Sequence, residues 1–196
     1  MYPIPIISNG HGGMIGSIYQ TKGKRSPIWS DGAVLYEGEC NRAIKNRVIE
    51  LLHFKGIPYY DLVPEQHDLN RKTRVARANR FHRQHKKTFL IDLHSNAGGG
   101  EGSEVFVAHN ASSSSLSLAA WTKFLFIRHF PESTFRGIKR ENYDLLHLTA
   151  MPAILLENFF MDTELECRTY LMTPKGRDRI AAYVVAIIEA YIKFHS

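Results

Sequence analysis

Cysteine is nearly absent: Cys40 and Cys167 are the only two in 196 residues, and they stand in no CxxC pair. That excludes a disulfide framework and a thiolate metal site, and it leaves both as small residues for the core. No apolar run approaches the roughly 18–20 residues that a membrane-spanning helix needs, so no membrane partner is expected. The chain opens without a basic segment followed by a long apolar one, the pattern of a secretory signal, and the expectation is a protein made in the cytoplasm. Internal repeats are missing, ASSSS at 111–115 is the only biased stretch, and no linker interrupts the sequence. A single domain spanning 1–196 is therefore expected, long enough to bury one substantial core.

What is present is a balanced globular composition, 44% hydrophobic and 22% charged, with a formal net charge of +6. The positive balance favours polyanions as partners: nucleic acid, an anionic surface or an acidic wall polymer. Much of it sits in LNRKTRVARANRFHRQHKK (69–87), which reads as a basic helix. Phe81 is its only aromatic, so the stacking platform expected of a single-strand binder is missing and nucleic acid is an unfavoured partner. A basic helix of this kind reads first as a solvated face; the functional alternative is contact between the 71–87 helix and an anionic wall polymer.

Short apolar runs alternate with longer amphipathic ones. IPIIS (4–8), PYYDLV (58–63), TFLIDLH (88–94), SEVFVAH (103–109) and PAILLE (152–157) read as strands. Segments 37–56, 69–87, 115–130 and 174–195 read as helices, with Gly56 placed to end the first and Pro174 to begin the last. The alternation predicts an α/β fold with a mostly parallel twisted sheet flanked by helices on both faces.

Such sheets bind ligands outside the carboxyl ends of their strands. Three polar residues fall there: His11 after IPIIS, His94 at the end of TFLIDLH and Glu157 at the end of PAILLE. His11 lies inside NGHGG, where glycines permit a sharp turn and close backbone approach. A carboxylate ending an apolar strand must be paired, hydrogen-bonded or placed on a metal; Arg136 is a candidate ion-pair partner for Glu157. Catalytic zinc commonly takes two histidines and one glutamate and keeps a fourth position for water. His11 and His94 supply the imidazoles, and Glu37, Glu39, Glu101 and Glu104 all remain open as the carboxylate, although Glu37 and Glu39 point to different sides of a helix.

Taken as an ordered set from Gly10 to Glu164, NGHGG, EGECN, LHSNA, RGIKRENYDLLHLTAMPAILLE and NFFMDTE resemble the zinc-dependent N-acetylmuramoyl-L-alanine amidases of the Amidase_3 type. Through the spacing of Glu37 to Asn41, the resemblance implies His11, Glu37 and His94 as ligands of Zn2+, with Glu157 as the catalytic carboxylate. It implies peptidoglycan as substrate and, as the bond cut, the amide between N-acetylmuramic acid and the L-alanine of the stem peptide. Asn96 and Arg136 are candidate substrate contacts, Arg136 through a stem-peptide carboxylate. The span between His94 and Glu157 is shorter than in relatives controlled by an inserted helix. With no signal in view, this resembles a phage endolysin that reaches the wall after release.

Two positions depart from the family pattern. Asp92 stands where a small residue is usual, two residues before His94 on the same strand face, placed to accept a hydrogen bond from that histidine. Phe159 stands where a glycine is usual and bears on the shape of the cleft beside Glu157. Two other functions compete: a zinc metallopeptidase cutting within peptidoglycan peptides, and a non-catalytic polyanion-binding module.

Overall fold

The computed structural model describes residues 2–195; Met1 and Ser196, the two ends of the expected domain, lie outside the described residues. In chain order the elements are β1 (Ile4–Asn9), β2 (Met14–Ile15), β3 (Ile18–Tyr19), α1 (Glu37–Phe54), β4 (Tyr60–Asp61), α2 (Arg71–His85), β5 (Thr88–Asn96) and β6 (Ser103–Val107). There follow α3 (Ser113–His129), β7 (Phe135–Arg140), α4 (Asp144–His147), β8 (Ala153–Phe160), α5 (Glu164–Glu166), a π-helical turn (Cys167–Leu171) and α6 (Pro174–His195). Six strands form one sheet in the order β4-β1-β5-β8-β6-β7, parallel except where β6 runs against β8. The chain is thus a single α/β domain with a mostly parallel sheet, as the alternation of runs predicts. Among the described residues no helix is long and apolar enough to cross a membrane.

Alternation along the strands divides the core in two. Phe89, Ile91 and Leu93 of β5 face the larger cluster, together with Ile7, Ile154 and Leu156. On that side α1 lays down a stripe of Cys40, Ile44, Val48 and Leu52, spaced by four residues as one helix face requires. Helix α6 adds Ile180, Val184, Ile187, Ile188 and Tyr191. Leu90, Ile6 and Leu155 face the opposite, smaller cluster, closed by Ala78 of α2 and by Leu145 and Leu146 of α4. Asp92 and His94 continue the Leu90 series, so both point to this second face. Both cysteines are buried and free.

Local chemistry sets the helix starts. The Asn70 side chain accepts a hydrogen bond from the Thr73 N–H at the head of α2, and Ser112 does the same for Ser115 at the head of α3. Three of the strands read from the sequence differ from that reading by at most two residues in all, and two depart further. PYYDLV contributes only Tyr60–Asp61 to the sheet edge, while β8 runs on past PAILLE to Phe160. The continuation takes Phe159 into the left-handed region at φ 59°, a backbone shape that disfavours any residue with a Cβ and accounts for glycine as the usual choice. The Phe159 ring turns away from the cleft into the larger cluster, 1% exposed, and stacks on Tyr170 with centroids 3.9 Å apart. The cleft is therefore not filled by it.

Phe159→Ala is expected to lower the unfolding free energy by about 3–5 kcal/mol. Phe159→Gly should be no worse than the alanine variant, reversing the usual order, because glycine alone adopts positive φ without strain. Denaturant titration of the two variants beside the parent checks both statements.

Candidate metal centre

His11 is held by a turn built for close approach. It adopts φ 64° itself, and the Asn9 side-chain amide donates to its carbonyl at 3.2 Å. Gly10 must lack a side chain, because a Cβ there would lie 2.1 Å from Cε1 of His94. That contact seats the His94 imidazole against the turn, with the His11 and His94 ring centroids 5.1 Å apart and nearly perpendicular.

Glu37 opens α1 and places its carboxylate at the positive end of the helix dipole. Its backbone N–H donates to the Lys24 carbonyl at 2.9 Å, and the next N–H, of Gly38, donates to the Tyr19 hydroxyl at 2.9 Å. One turn on, Asn41 donates to Glu37 Oε1 at 3.2 Å while accepting from the Ser95 hydroxyl at 3.0 Å. The four-residue spacing thus has a mechanical reason: Asn41 braces the carboxylate against the strand that carries His94. Glu39 faces elsewhere and accepts from the Met14 N–H.

The three side chains converge. His11 Nε2 lies 3.2 Å from Glu37 Oε2, and His94 Nδ1 lies 3.2 Å from Glu37 Oε1. All three donor atoms fall within 4.8 Å of one another, and among the described residues this is the one group of three or more such side chains that could hold a metal ion. A tetrahedral zinc with bonds near 2.1 Å sets its donors about 3.4 Å apart, so the His–Glu spacings fit the ion. The remaining eight histidines contribute nothing to the cluster.

Glu157 is the register partner of His94 on the neighbouring strand. Its Oε2 is buried with no hydrogen-bond partner. Burial pushes its carboxyl up to about 7; the His94 charge pulls it down, and the carboxylates of Glu37, Glu104 and Asp92 push it further up. At His94 burial opposes the charged ring, but Asp92 and Glu37 overcome it and raise the pKa well above the usual histidine value. Glu37 shows the converse: burial works against its charge, yet hydrogen bonds from His11 and His94 hold its carboxyl well below the usual range. Three carboxylates around two imidazoles make a pocket that demands positive charge, which a divalent cation on the His–Glu–His donors would satisfy.

A cavity of about 760 Å³ surrounds the cluster, within the ordinary range for small-ligand sites. Sequence reasoning missed much of its wall: Lys24 from the loop before α1, Asn70 and Arg71 at the head of α2, and Tyr143 and Asp144 at the head of α4. None of these carries a spacing signal, because the fold alone brings them together. Asn96 lines the cavity and donates to Glu104 Oε1 at 3.0 Å. Arg136 does not line this cavity; its Nε donates to Glu104 Oε2 at 2.8 Å and its guanidinium lies 4.9 Å from the Phe160 ring centroid. Glu104, not Glu157, is therefore the carboxylate that Arg136 partners, joined there by Lys139.

The cations of α2 are divided between structure and surface. Arg74 is 5% exposed and donates to the Leu69 and Asn9 carbonyls, Arg77 pairs with Glu65, and Arg71 pairs with Asp144. Lys72, Arg80 and Arg83, with Lys86 and Lys87 just past the helix, are exposed.

A mostly parallel sheet with a His–Glu–His cluster and an adjacent buried carboxylate at its strand ends is the layout of an α/β enzyme. The family model for N-acetylmuramoyl-L-alanine amidase, Amidase_3, matches residues 6–190, and the chain belongs to that family. Among solved structures, the N-acetylmuramoyl-L-alanine amidase of Clostridium difficile 630 is similar at 23% identity and a TM-score of 0.83, with 100% of each chain covered. Ami1 of Mycobacterium smegmatis follows at 17% identity and 0.80 over 98% of each chain. The catalytic domain of CwlV from Bacillus (Paenibacillus) polymyxa var. colistinus follows at 22% and 0.77 over 97% of this chain and 98% of that one. No curated protein sequence matches.

Proposed function

We propose that the chain is a zinc-dependent amidase that cuts the bond between N-acetylmuramic acid and the L-alanine of the stem peptide in peptidoglycan, with His11, Glu37 and His94 holding the metal and Glu157 moving the proton. Family membership supports the bond and the substrate. The observation that carries the chemistry is the unpartnered, buried Oε2 of Glu157, one strand from the His–Glu–His cluster.

When bound, zinc would polarise the scissile carbonyl and acidify the attacking water. The Glu157 carboxylate accepts a proton from that water as its oxygen adds to the lactyl carbonyl carbon. When the C–N bond breaks, the same group returns the proton to the departing alanine nitrogen, acting as base and then as acid. Glu37, braced by Asn41, keeps the two imidazoles at their spacing, and Gly10 leaves room for the His94 ring. Atoms balance: one water is consumed, and a muramic carboxylate and a free alanine amine are produced.

Mass spectrometry of purified peptidoglycan digested by the zinc-loaded protein tests the bond. Stem peptides beginning with free L-alanine, together with glycan strands bearing free lactyl carboxylates, are expected. Cuts confined to bonds inside the peptide would replace the amidase with a metallopeptidase.

A further inference from the structure

We infer that Asp92 is a positioning residue for the metal centre: its carboxylate accepts the Nε2 proton of His94 and fixes the ring with Nδ1 turned to the Glu37 side. The inference rests on the zinc reading above. Asp92 is 3% exposed, between Ser8 and Leu155 on the neighbouring strands. A carboxylate so placed needs a partner. Asp92 Oδ2 meets His94 Nε2 at 3.3 Å, its Oδ1 accepts no hydrogen bond, and the neighbouring Ser8 hydroxyl lends the carboxylate further support. Arg74, the nearby cation, spends its bonds on the Leu69 and Asn9 carbonyls and on Asp68, so Asp92 is not explained as half of a structural ion pair.

The imidazole thus lies between two carboxylates, Glu37 Oε1 at its Nδ1 and Asp92 Oδ2 at its Nε2. A cation on Nδ1 requires the proton on Nε2, where Asp92 stands to accept it. Turning the ring over would put carbon atoms where both carboxylates expect nitrogen. The Gly10 backbone closes one side of the ring, and strand alternation holds Asp92 on the same face two residues away. Such outer carboxylates orient a ligating histidine and raise its basicity, and losing one typically costs about 10–100-fold in metal affinity.

The test is zinc affinity by competition with a chromophoric chelator, for the parent, Asp92→Ala and Asp92→Asn, with circular dichroism of each metal-free protein. Asp92→Ala is expected to weaken zinc binding about 10–100-fold. Asp92→Asn, which keeps an acceptor oxygen, should recover part of that loss. In the zinc-loaded parent the His94 Nε2 proton should give a downfield, slowly exchanging NMR resonance that Asp92→Ala lacks. Should the alanine variant fail to fold, the asparagine variant alone must show weaker binding. Unchanged zinc affinity in a folded variant overturns the inference and leaves the zinc reading intact, whereas a parent that binds no zinc overturns both.

Discussion

Zinc-loaded Glu157→Gln should keep its metal and lose about two to four orders of magnitude in kcat, the usual worth of a positioned acid–base group. The substitution preserves shape and removes only the ability to take and return a proton. Glu157 ligates nothing in the His11, Glu37 and His94 cluster, so bound zinc should remain at the parental level. Its Oε2 makes no hydrogen bond, so exchange for an amide breaks no existing bond, and removing a carboxylate from a pocket that already holds Glu37 and Asp92 relieves repulsion. The variant should unfold at the same denaturant concentration as the parent or a higher one. Turnover against soluble muramyl peptide, with zinc counted on the same sample, separates lost chemistry from lost metal. Parental kcat in the variant would remove Glu157 from the reaction.

Glu37→Ala should fail earlier, at the metal. Glu37 reaches both imidazoles, at 3.2 Å each, so its loss takes away one donor and also the spacer between the other two. Zinc should dialyse out of the variant under conditions in which the parent retains one ion per chain, and activity should be undetectable at stoichiometric zinc. Stability should fall as well, because the fully buried Asn41 amide loses its Glu37 acceptor and keeps only a long 3.5 Å contact to the Gly10 carbonyl; an under-satisfied buried donor costs about 1–3 kcal/mol. Full zinc occupancy after dialysis would show that the metal sits elsewhere. The two variants therefore fail in distinguishable ways, one with metal and one without.

The layer arrangement was legible because periodicity records it. Runs such as TFLIDLH and PAILLE are apolar on both sides, as strands covered on both faces must be, and α1 and α6 carry stripes at helical spacing. The ends of these strands were also legible, which is why His11, His94 and Glu157 could be picked from ten histidines and nineteen acidic residues. Choosing Glu37 over Glu39 required the family resemblance; the physical reason, Asn41 bracing one carboxylate from the next turn, appears only in three dimensions. The hairpin of β2 and β3, the edge strand β7 and the short α4 were not legible. Each is too brief or too exposed to leave a periodic signal, and β7 alternates only between exposed and half-buried positions. The partner of Arg136 depends on the crossover that sets β7 beside β6, a pairing that no local pattern encodes.

The most direct test of a single-metal amidase is a zinc titration of the chelated protein, with bound metal and rate of lactyl amide hydrolysis followed together. No turnover is expected at zero metal, followed by a rise in proportion to bound zinc and a plateau at one ion per chain. Full hydrolysis by the metal-free protein, or activity that rises only after a second ion has bound, would contradict a single-metal amidase.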